Sequence, residues 1–402
     1  MALSAMASMR AAVAAPPTRS RADAARELYG WLEAGGPLPS AKGSGELAPP
    51  LLHRSSAFEI DGTEDCSNLT LRATRDVPKG HFIMAVAKSS VLHPRSEALS
   101  GAQRAVIECV AEKLGAAAQW ETPLVNGKSP GRLELVALVA LELLRGVRSA
   151  WHPYLQTLPS AQFASTPSLW PRLHRDSADA AIAVGVLRDT SIGHLIQADE
   201  LDLQRLSEHP AGRDAARILV DAAGDGVTEA AAALAMVRAI GLVSTRLVSG
   251  VGMVPLFDLM NGASHSEHNA TIESTNLAAS ADAPEQAPCV AALASRAIRK
   301  GEEVLLSYGR LSAADFLYKY GWPASGGADV PNAATADEHD TVSLVPHSLW
   351  TSLRPAQLAV LDKYQISAAR LGLSEQAPCA SPFSVPRAEA AAGKTTPLMR
   401  QV

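Results

Sequence analysis

The chain has 402 residues, of which 47% are hydrophobic and 19% are charged, and its formal net charge is -5. This balance is that of an ordinary soluble globular protein, and the length predicts two to three domains. The chain lacks the excess of positive charge that binding to nucleic-acid phosphates requires, so we expect no nucleic-acid partner. The longest apolar run, Leu135 to Leu144, contains Glu142 and is too short to cross a bilayer, so we expect no membrane partner.

The first 22 residues contain three arginines, three serines and no acid. This composition is shared by organellar transit peptides and by disordered alanine-rich extensions. The first alternative predicts the chloroplast or another organelle, and the second predicts the cytoplasm or the nucleus. Asp23 to Ala34 then has apolar residues at helical spacing, and residues 36 to 50 have the Pro/Gly/Ser content of a loop.

Short strands are predicted next in the chain. Leu69 to Thr74 and Phe82 to Val86 have strand-like composition, and Asp76 to Gly80 between them has the proline and glycine of a tight turn. We therefore predict a hairpin over this segment.

A long helical region follows these strands. Helices are predicted over residues 102–118 and 133–145, and three more over 177–247, with breaks near Gly193 and Gly224. The pattern indicates a β fold interrupted by a large all-helical insertion. We find no internal repeat.

The C-terminal part has weaker patterns. A Gly/Ala/Asp-rich linker follows Pro323, a strand is predicted over Thr341 to Val345, and helices are predicted over Leu353 to Leu373. The tail from Ala377 is rich in proline and alanine and is predicted to be disordered. The four cysteines are far apart and form no C-x-x-C pair, so we expect neither a zinc site nor a disulfide framework.

Several blocks of sequence resemble a known family. They are Met253 to Gly262, Gly301 to Gly309, Phe316 to Trp322, the turn segment Ala73 to Gly80, and the phrase Trp151 to Pro159. Together they resemble the SET domain, and within it the branch of the Rubisco large-subunit lysine methyltransferase. These enzymes transfer a methyl group from S-adenosylmethionine to a protein side chain.

The resemblance implies an α+β fold class, with a SET domain over about residues 55–325. It places the helical insertion at about 95–247. It also implies an abbreviated helical substrate-binding region at 340–375, followed by the tail at 377–402. The implied donor of the methyl group is S-adenosylmethionine, and the implied partner is a protein substrate that bears the acceptor lysine. We expect a monomer.

The resemblance also implies the catalytic residues. Tyr308, which follows a predicted strand from Glu303 to Ser307, matches one site tyrosine of the family. Tyr320, near the end of a predicted helix from Ala313 to Lys319, matches the second. The alternative for each is a packing residue with a satisfied hydroxyl. Tyr318 is two residues from Tyr320 and is expected to face another side of the helix.

The remaining site residues concern the donor and the peptide channel. By resemblance, Arg246 and Asn261 contact the donor, and Asp258 lies near the substrate channel. The alternatives are a solvated helix arginine, a turn asparagine and a solvated turn acid. The predicted donor site also includes Asn68, Leu69 and Gly262, and no metal is expected.

Two departures from the family pattern leave alternatives open. Gly262 stands where the family has histidine, and the family's Gly-x-Gly falls on Asn68-Leu69-Thr70, which removes the freedom that glycine provides. A catalytically weak SET-like binding module therefore stays as a rival. A histidine acceptor is also open, because some members of the branch methylate histidine. His265 and His268 have the spacing of a metal pair, but a polar loop is the favoured interpretation.

Overall fold

Short strands flank a long run of helices in the computed structural model of the chain. The structure describes residues 21–33, 52–62, 69–159, 166–170, 184–188, 190–263, 267–276, 288–309, 311–321, 341–344 and 383–386. The strands are β1 Leu52–Arg54, β2 Phe58–Gly62, β3 Leu69–Ala73, β4 Phe82–Ala87, β5 Leu247–Val248, β6 Gly252–Met253, β7 Asn261–Ala263, β8 Ala270–Asn276, β9 Pro288–Ala294, β10 Leu305–Ser307, β11 Thr341–Leu344 and β12 Phe383–Pro386. The helices are α1 Arg21–Glu33, α2 Gly101–Ala117, α3 Arg132–Arg145, α4 His152–Thr157, α5 Ser191–Glu208, α6 Pro210–Ala223, α7 Glu229–Arg246 and α8 Ala313–Tyr320.

The largest sheet within these residues has six strands in the order β1-β4-β9-β8-β10-β7. Its outer part is antiparallel, whereas β10 runs parallel to both β7 and β8. The register pairs Asn261 with Leu305 and Gly262 with Leu306. The segment that leads into Tyr308 is therefore held beside the segment that carries Asn261.

The two strands predicted as a hairpin do not pair with each other. β3 pairs with β2 in a separate sheet, and β4 pairs with β1 and β9. The turn between them is present, and Gly80 at its end has φ +79°. The prediction of the turn is confirmed, but that of the hairpin is wrong, because the turn moves the chain from one sheet to the other.

That turn has a counterpart in a second turn that follows β9. Residues 73–80 read A-T-R-D-V-P-K-G and residues 294–301 read A-S-R-A-I-R-K-G. Val77 and Ile298, at equivalent places, exchange backbone hydrogen bonds of 2.8 and 2.9 Å. The glycine that ends each turn has the same left-handed backbone, with φ +79° and +80°. The segments are thus related by a local two-fold arrangement, and the expectation of no internal repeat is wrong at this scale.

The helical insertion leaves and returns to the strands at one place. Leu92 and Met253 exchange backbone hydrogen bonds of 2.9 and 3.1 Å. Gly252 beside this bridge has φ +129°, and a Cβ there would lie 2.8 Å from the Leu92 carbonyl oxygen. Glycine is therefore required for the close approach of the two chain segments.

The helices of the insertion agree with the sequence pattern, apart from one break. The apolar run of α3 is buried and packs against α2 and α7, which explains why this helix is apolar on most of its surface. The predicted break near Gly224 is confirmed. The break predicted near Gly193 is confirmed a few residues earlier, because residues 184–187 are helical, Arg188 is in a turn, and Thr190 caps the start of α5. The single helix predicted between Gly193 and Gly224 is wrong, since this segment is divided before Pro210 into α5 and α6. In the described part of the chain, no helix has the length and apolar character needed to cross a membrane.

The ends of the chain are described in part. The N-terminal helix predicted over 23–34 is confirmed as α1, which packs against α4. The predicted strand at 341–345 is confirmed as β11. β12 pairs antiparallel with β11, so the prediction of a disordered tail from Ala377 is wrong for Phe383–Pro386. The transit peptide, the loop at 36–50 and the helices at 353–373 lie outside the described residues.

Candidate active site

Tyr308 follows β10 and lies directly on the backbone of β7. Its hydroxyl donates to the carbonyl oxygen of Met260 at 3.3 Å. Its ring covers Gly262 so closely that a Cβ built on this glycine would lie 2.3 Å from two ring carbons. The ring therefore uses space that a side chain at position 262 would need. Gly262, which departs from the family pattern, is the residue that this placement of Tyr308 requires.

Tyr320 is the last residue of α8 and packs beside Tyr308. The ring centroids are 4.8 Å apart, with an angle of 43° between the ring planes. Phe316, one turn earlier on the same helix, lies 5.5 Å from the Tyr320 centroid and 6.3 Å from the Tyr308 centroid. A strand end and a helix end thus bring the two predicted tyrosines together, and Phe316 completes an aromatic wall that the sequence did not single out.

The end of α8 is well defined. Ser312 and Asp315 form a reciprocal capping box at its start, and Gly321 ends it with φ +80°. Tyr318 turns away from Tyr320 and donates a hydrogen bond of 2.6 Å to Asp199 on α5. Residues two apart in a helix point in nearly opposite directions, so the expectation that Tyr318 faces elsewhere is confirmed.

Arg246 is the last residue of α7 and its charge acts on both tyrosines. The guanidinium lowers the pKa of Tyr308 and of Tyr320, against a larger effect of burial that raises both. Its Nε is buried and has no hydrogen-bond partner among the described residues, while Nη1 donates to Thr245 at 2.5 Å. A buried guanidinium N–H without an acceptor is costly, and an anionic ligand such as a carboxylate would supply that acceptor.

Asp258 joins the same group of charges. It lies in a short 3-10 turn, Phe257–Leu259, that follows Leu256, a buried non-glycine residue with φ +70°. A positive φ is strained for a branched side chain such as that of leucine. Residues with such strained backbone are found most often at functional sites. The Asp258 carboxylate raises the pKa of Tyr308, as burial does, whereas the charge of Arg246 lowers it.

Tyr154 is a member of this network that the sequence analysis did not choose. Its side chain is buried, and burial together with the charge and hydrogen bonding of Asp258 raises its pKa well above the usual value. Arg246 acts on it in the opposite direction. The signal was present, because Tyr154 belongs to the phrase Trp151 to Pro159, but a family phrase does not indicate which of its residues faces the site.

Asn261 makes a side-chain contact that was not predicted. Its amide Nδ2 donates to Glu303 Oε1 at 2.6 Å, across the parallel pair β7 and β10. Nearby, buried Asn269 donates to the Glu303 carbonyl oxygen at 2.7 Å and accepts from the Leu305 N–H at 2.7 Å. These amides fix the start of β10, which begins at Leu305, two residues later than the predicted strand.

The N-terminal part of the predicted donor site is described in part. Asn68 lies outside the described residues. Leu69 is paired with Gly62, and its side chain is buried in the core, so its backbone alone is left for a ligand contact. Thr70 is in the same extended strand, and its buried hydroxyl has no partner among the described residues. Extended backbone needs no glycine, so Leu69 and Thr70 are accommodated without strain.

Both tyrosines hold their protons at neutral pH. Burial raises the pKa of Tyr308 to about 12, and burial with the neighbouring Tyr308 raises the pKa of Tyr320 further. Both hydroxyls are thus neutral and can orient a polar group. No group of three or more His, Cys, Asp or Glu side chains in the described ranges is placed to hold a metal ion. The expectation of no metal stays a prediction.

Comparison with known proteins identifies the family. The SET domain family matches residues 68–309. The chain therefore belongs to the SET domain family, and the α+β fold with its helical insertion is the fold of this chain. A search of curated proteins gave no match.

Solved structures similar to the chain include those of LSMT, the Rubisco methyltransferase. One is the SET domain of LSMT bound to lysine and AdoHcy, with 17% identity and a TM-score of 0.45, covering 91% of this chain and 68% of that one. A second, bound to methyllysine and AdoHcy, has 16% identity and a TM-score of 0.47, covering 80% and 59%. A third, Rubisco LSMT bound to AdoMet, has 16% identity and a TM-score of 0.46, covering 90% and 66%. The chain thus spans roughly two thirds of the length of these proteins.

Proposed function

We propose that this chain is an S-adenosylmethionine-dependent protein methyltransferase of the Rubisco-type branch that acts on a lysine side chain. The observation that carries the proposal is the convergence of Tyr308, Tyr320 and the half-buried Arg246, whose Nε is buried, in a SET domain. We also propose that the substrate is a protein that bears the acceptor lysine and that the chain is a monomer. The compartment is an organelle such as the chloroplast if the N-terminus is a transit peptide, and otherwise the cytoplasm or the nucleus.

The residues present fit the donor. The Nε of Arg246 is a buried donor without a partner in the described part of the site, and a carboxylate would satisfy it. Asn261 offers the oxygen of its side-chain amide, since its Nδ2 is engaged by Glu303, and Leu69 offers its backbone. When bound, S-adenosylmethionine would supply an electrophilic methyl group. We assign the donor to Arg246, Asn261, Gly262, Leu69 and Asn68.

The chain's own residues would prepare the acceptor. An amine must be neutral to react, and apolar surroundings such as the wall of Tyr308, Phe316 and Tyr320 lower the pKa of a lysine by disfavouring its charged form. The neutral hydroxyls of Tyr308 and Tyr320 would orient the amine. Asp258 would lie near the substrate channel and accept a hydrogen bond. Much of the rate would come from this positioning.

Calorimetric titration with S-adenosylmethionine tests the donor assignment. We expect the wild-type chain to bind, and Arg246→Met to weaken binding by roughly tenfold or more, because a charge-assisted hydrogen bond is lost. Arg104→Met is the matched control, since Arg104 donates to the Ser96 carbonyl oxygen outside the site. Equal affinity of the wild type and Arg246→Met would contradict the assignment.

One observation favours the rival binding module. The Asn261 amide is already engaged by Glu303, and the space at position 262 is filled by the Tyr308 ring. A module that had lost donor binding could keep both contacts. Transfer of a labelled methyl group from S-adenosylmethionine to a lysine-containing protein decides between the two, because the module predicts no transfer. Amino-acid analysis of the labelled product separates methyllysine from methylhistidine.

A further inference from the structure

A buried carboxylate in the helical insertion lies outside the site but contacts its helix. Asp199 on α5 is 2% exposed. Its Oδ2 accepts hydrogen bonds from Tyr318 at 2.6 Å and from Ser168 at 2.5 Å, and its Oδ1 accepts from Thr122. Three hydroxyls from three different segments therefore converge on one acid.

The chemistry of this cluster favours an ionised acid. A carboxylate accepts all three O–H groups, whereas a protonated acid would have to donate one hydrogen bond itself. Burial raises the pKa of Asp199 to about 6, and the nearby Asp202 raises it as well. The hydrogen bonds from Ser168, Thr122 and Tyr318 lower the pKa and offset part of this effect. At neutral pH the acid is thus ionised, and each hydrogen bond is of the strong, charge-assisted kind.

Tyr318 connects this acid to the site. It is two residues before Tyr320 on α8, on the opposite side of the helix. The last turn of α8 has a second hydrogen bond to the insertion, because the Thr166 hydroxyl donates to the Lys319 carbonyl oxygen at 3.0 Å. The insertion therefore fixes the last turn of α8 through Tyr318 and Lys319. Tyr320, on the side of the helix opposite Tyr318, packs against Tyr308.

We propose that Asp199 is a positioning residue that fixes Tyr320 by anchoring Tyr318. The helical insertion then acts as the support of the second site tyrosine, and loss of the anchor lets the last turn of α8 move. The catalytic part of this inference rests on the proposed function, but the anchoring of α8 does not.

Tyr318→Phe and Ser168→Ala form a matched pair for the test. Each removes one hydroxyl donor to the same oxygen of Asp199, but Tyr318 alone belongs to α8. We expect backbone amides of residues 318–321 to exchange hydrogen about tenfold faster or more in Tyr318→Phe, and at the wild-type rate in Ser168→Ala. Hydrogen exchange followed by mass spectrometry measures this without substrate or donor.

The kinetic arm uses S-adenosylmethionine with poly-L-lysine as the acceptor. Tyr318→Phe is expected to lower turnover between roughly tenfold and 10²-fold through misplacement of Tyr320, with unchanged calorimetric affinity for the donor. Ser168→Ala is expected to keep wild-type turnover. Asp199→Asn, a second variant that cannot accept all three hydroxyls, should change exchange in the same direction as Tyr318→Phe.

The outcomes separate the two proposals. The anchoring role is overturned if α8 exchanges hydrogen at the wild-type rate in both Tyr318→Phe and Asp199→Asn. It is also overturned if Ser168→Ala accelerates this exchange as much as Tyr318→Phe does. Accelerated exchange in Tyr318→Phe and Asp199→Asn with wild-type turnover overturns the link between the anchor and Tyr320. Absence of methyl transfer by the wild type contradicts the proposed function and leaves the exchange result to decide the anchoring.

Discussion

The Tyr308 hydroxyl donates to the Met260 carbonyl oxygen, one residue before β7. We predict that Tyr308→Phe lowers turnover by roughly 10²-fold, because one oriented hydroxyl is lost at the reacting centre. Donor affinity should change little, since the group acts chiefly in the transition state. Steady-state kinetics and calorimetry measure both quantities. Wild-type turnover in a folded Tyr308→Phe variant would make this tyrosine a packing residue and favour the binding module.

The second prediction concerns Tyr320, whose ring packs against that of Tyr308, and the variant is Tyr320→Phe. Because the hydroxyl is removed without loss of ring packing, we expect slower transfer with an intact fold. The ratio of mono- to dimethylated product should also change, since hydroxyls that line a narrow channel limit rotation of the amine. Mass spectrometry of the product gives that ratio. An unchanged rate and an unchanged ratio would remove Tyr320 from the site.

Gly262 is predicted to tolerate no side chain. A Cβ there would lie 2.3 Å from the Tyr308 ring, so Gly262→Ala must move that ring. We expect the free energy of unfolding to fall by roughly 1–3 kcal/mol, together with a loss of turnover. Gly115→Ala is the control, because its nearest neighbour would be Leu133 Cδ1 at 3.5 Å in a helix. Denaturant unfolding of both variants is the measurement, and equal stability would contradict the packing described above.

At the scale of elements, α8 and α2 begin with the same device. Ser312 caps α8 in a box with Asp315, and Ser100 caps α2 in a box with Gln103. Ser312→Ala and Ser100→Ala should each lower stability by about 1 kcal/mol, because each removes an N-terminal cap. Ser312→Ala alone should also slow methyl transfer, since α8 carries Tyr320. A similar loss of activity in both variants would indicate a general effect of stability.

The helices and turns were more predictable than the pairing of the strands. Helical periodicity and caps are local, so α2, α3 and the turn at 76–80 follow from the sequence. The placement of β3 also depends on contacts far along the chain, such as the hydrogen bond from the Ala73 N–H to the Glu302 carbonyl oxygen, which no local pattern contains. The roles of Tyr154 and Glu303 were missed for the same reason, because a side chain joins a site through distant neighbours.

For the whole molecule, Asp199 predicts a dependence of stability on pH. Its pKa is raised by burial from 3.8 to about 6, so in this window the folded chain holds a proton that the unfolded chain has lost. The contribution of Asp199 to the free energy of unfolding therefore falls as pH rises from about 4 to about 6. The full change is about 3 kcal/mol, at about 1.4 kcal/mol per pKa unit.

Comparison with Asp199→Asn isolates this contribution from other titrating groups. The asparagine does not titrate, so the stability of the wild type relative to this variant should decline through the same pH window. Denaturant unfolding at several pH values gives both curves. A constant difference between them would show that the acid has the same proton affinity in both states.

The bridge between Leu92 and Met253 has a consequence for how this protein could be re-engineered. The chain enters and leaves the helical insertion beside this hydrogen-bonded pair, so the ends of the insertion are already as close as a domain graft needs. The closure entropy of such an excursion grows slowly with its length, by about 0.6 kcal/mol for each doubling. Shorter or longer helical inserts should therefore be tolerated at this junction. A transplanted insert would have to bring its own acid for Tyr318 if the last turn of α8 is to stay in place.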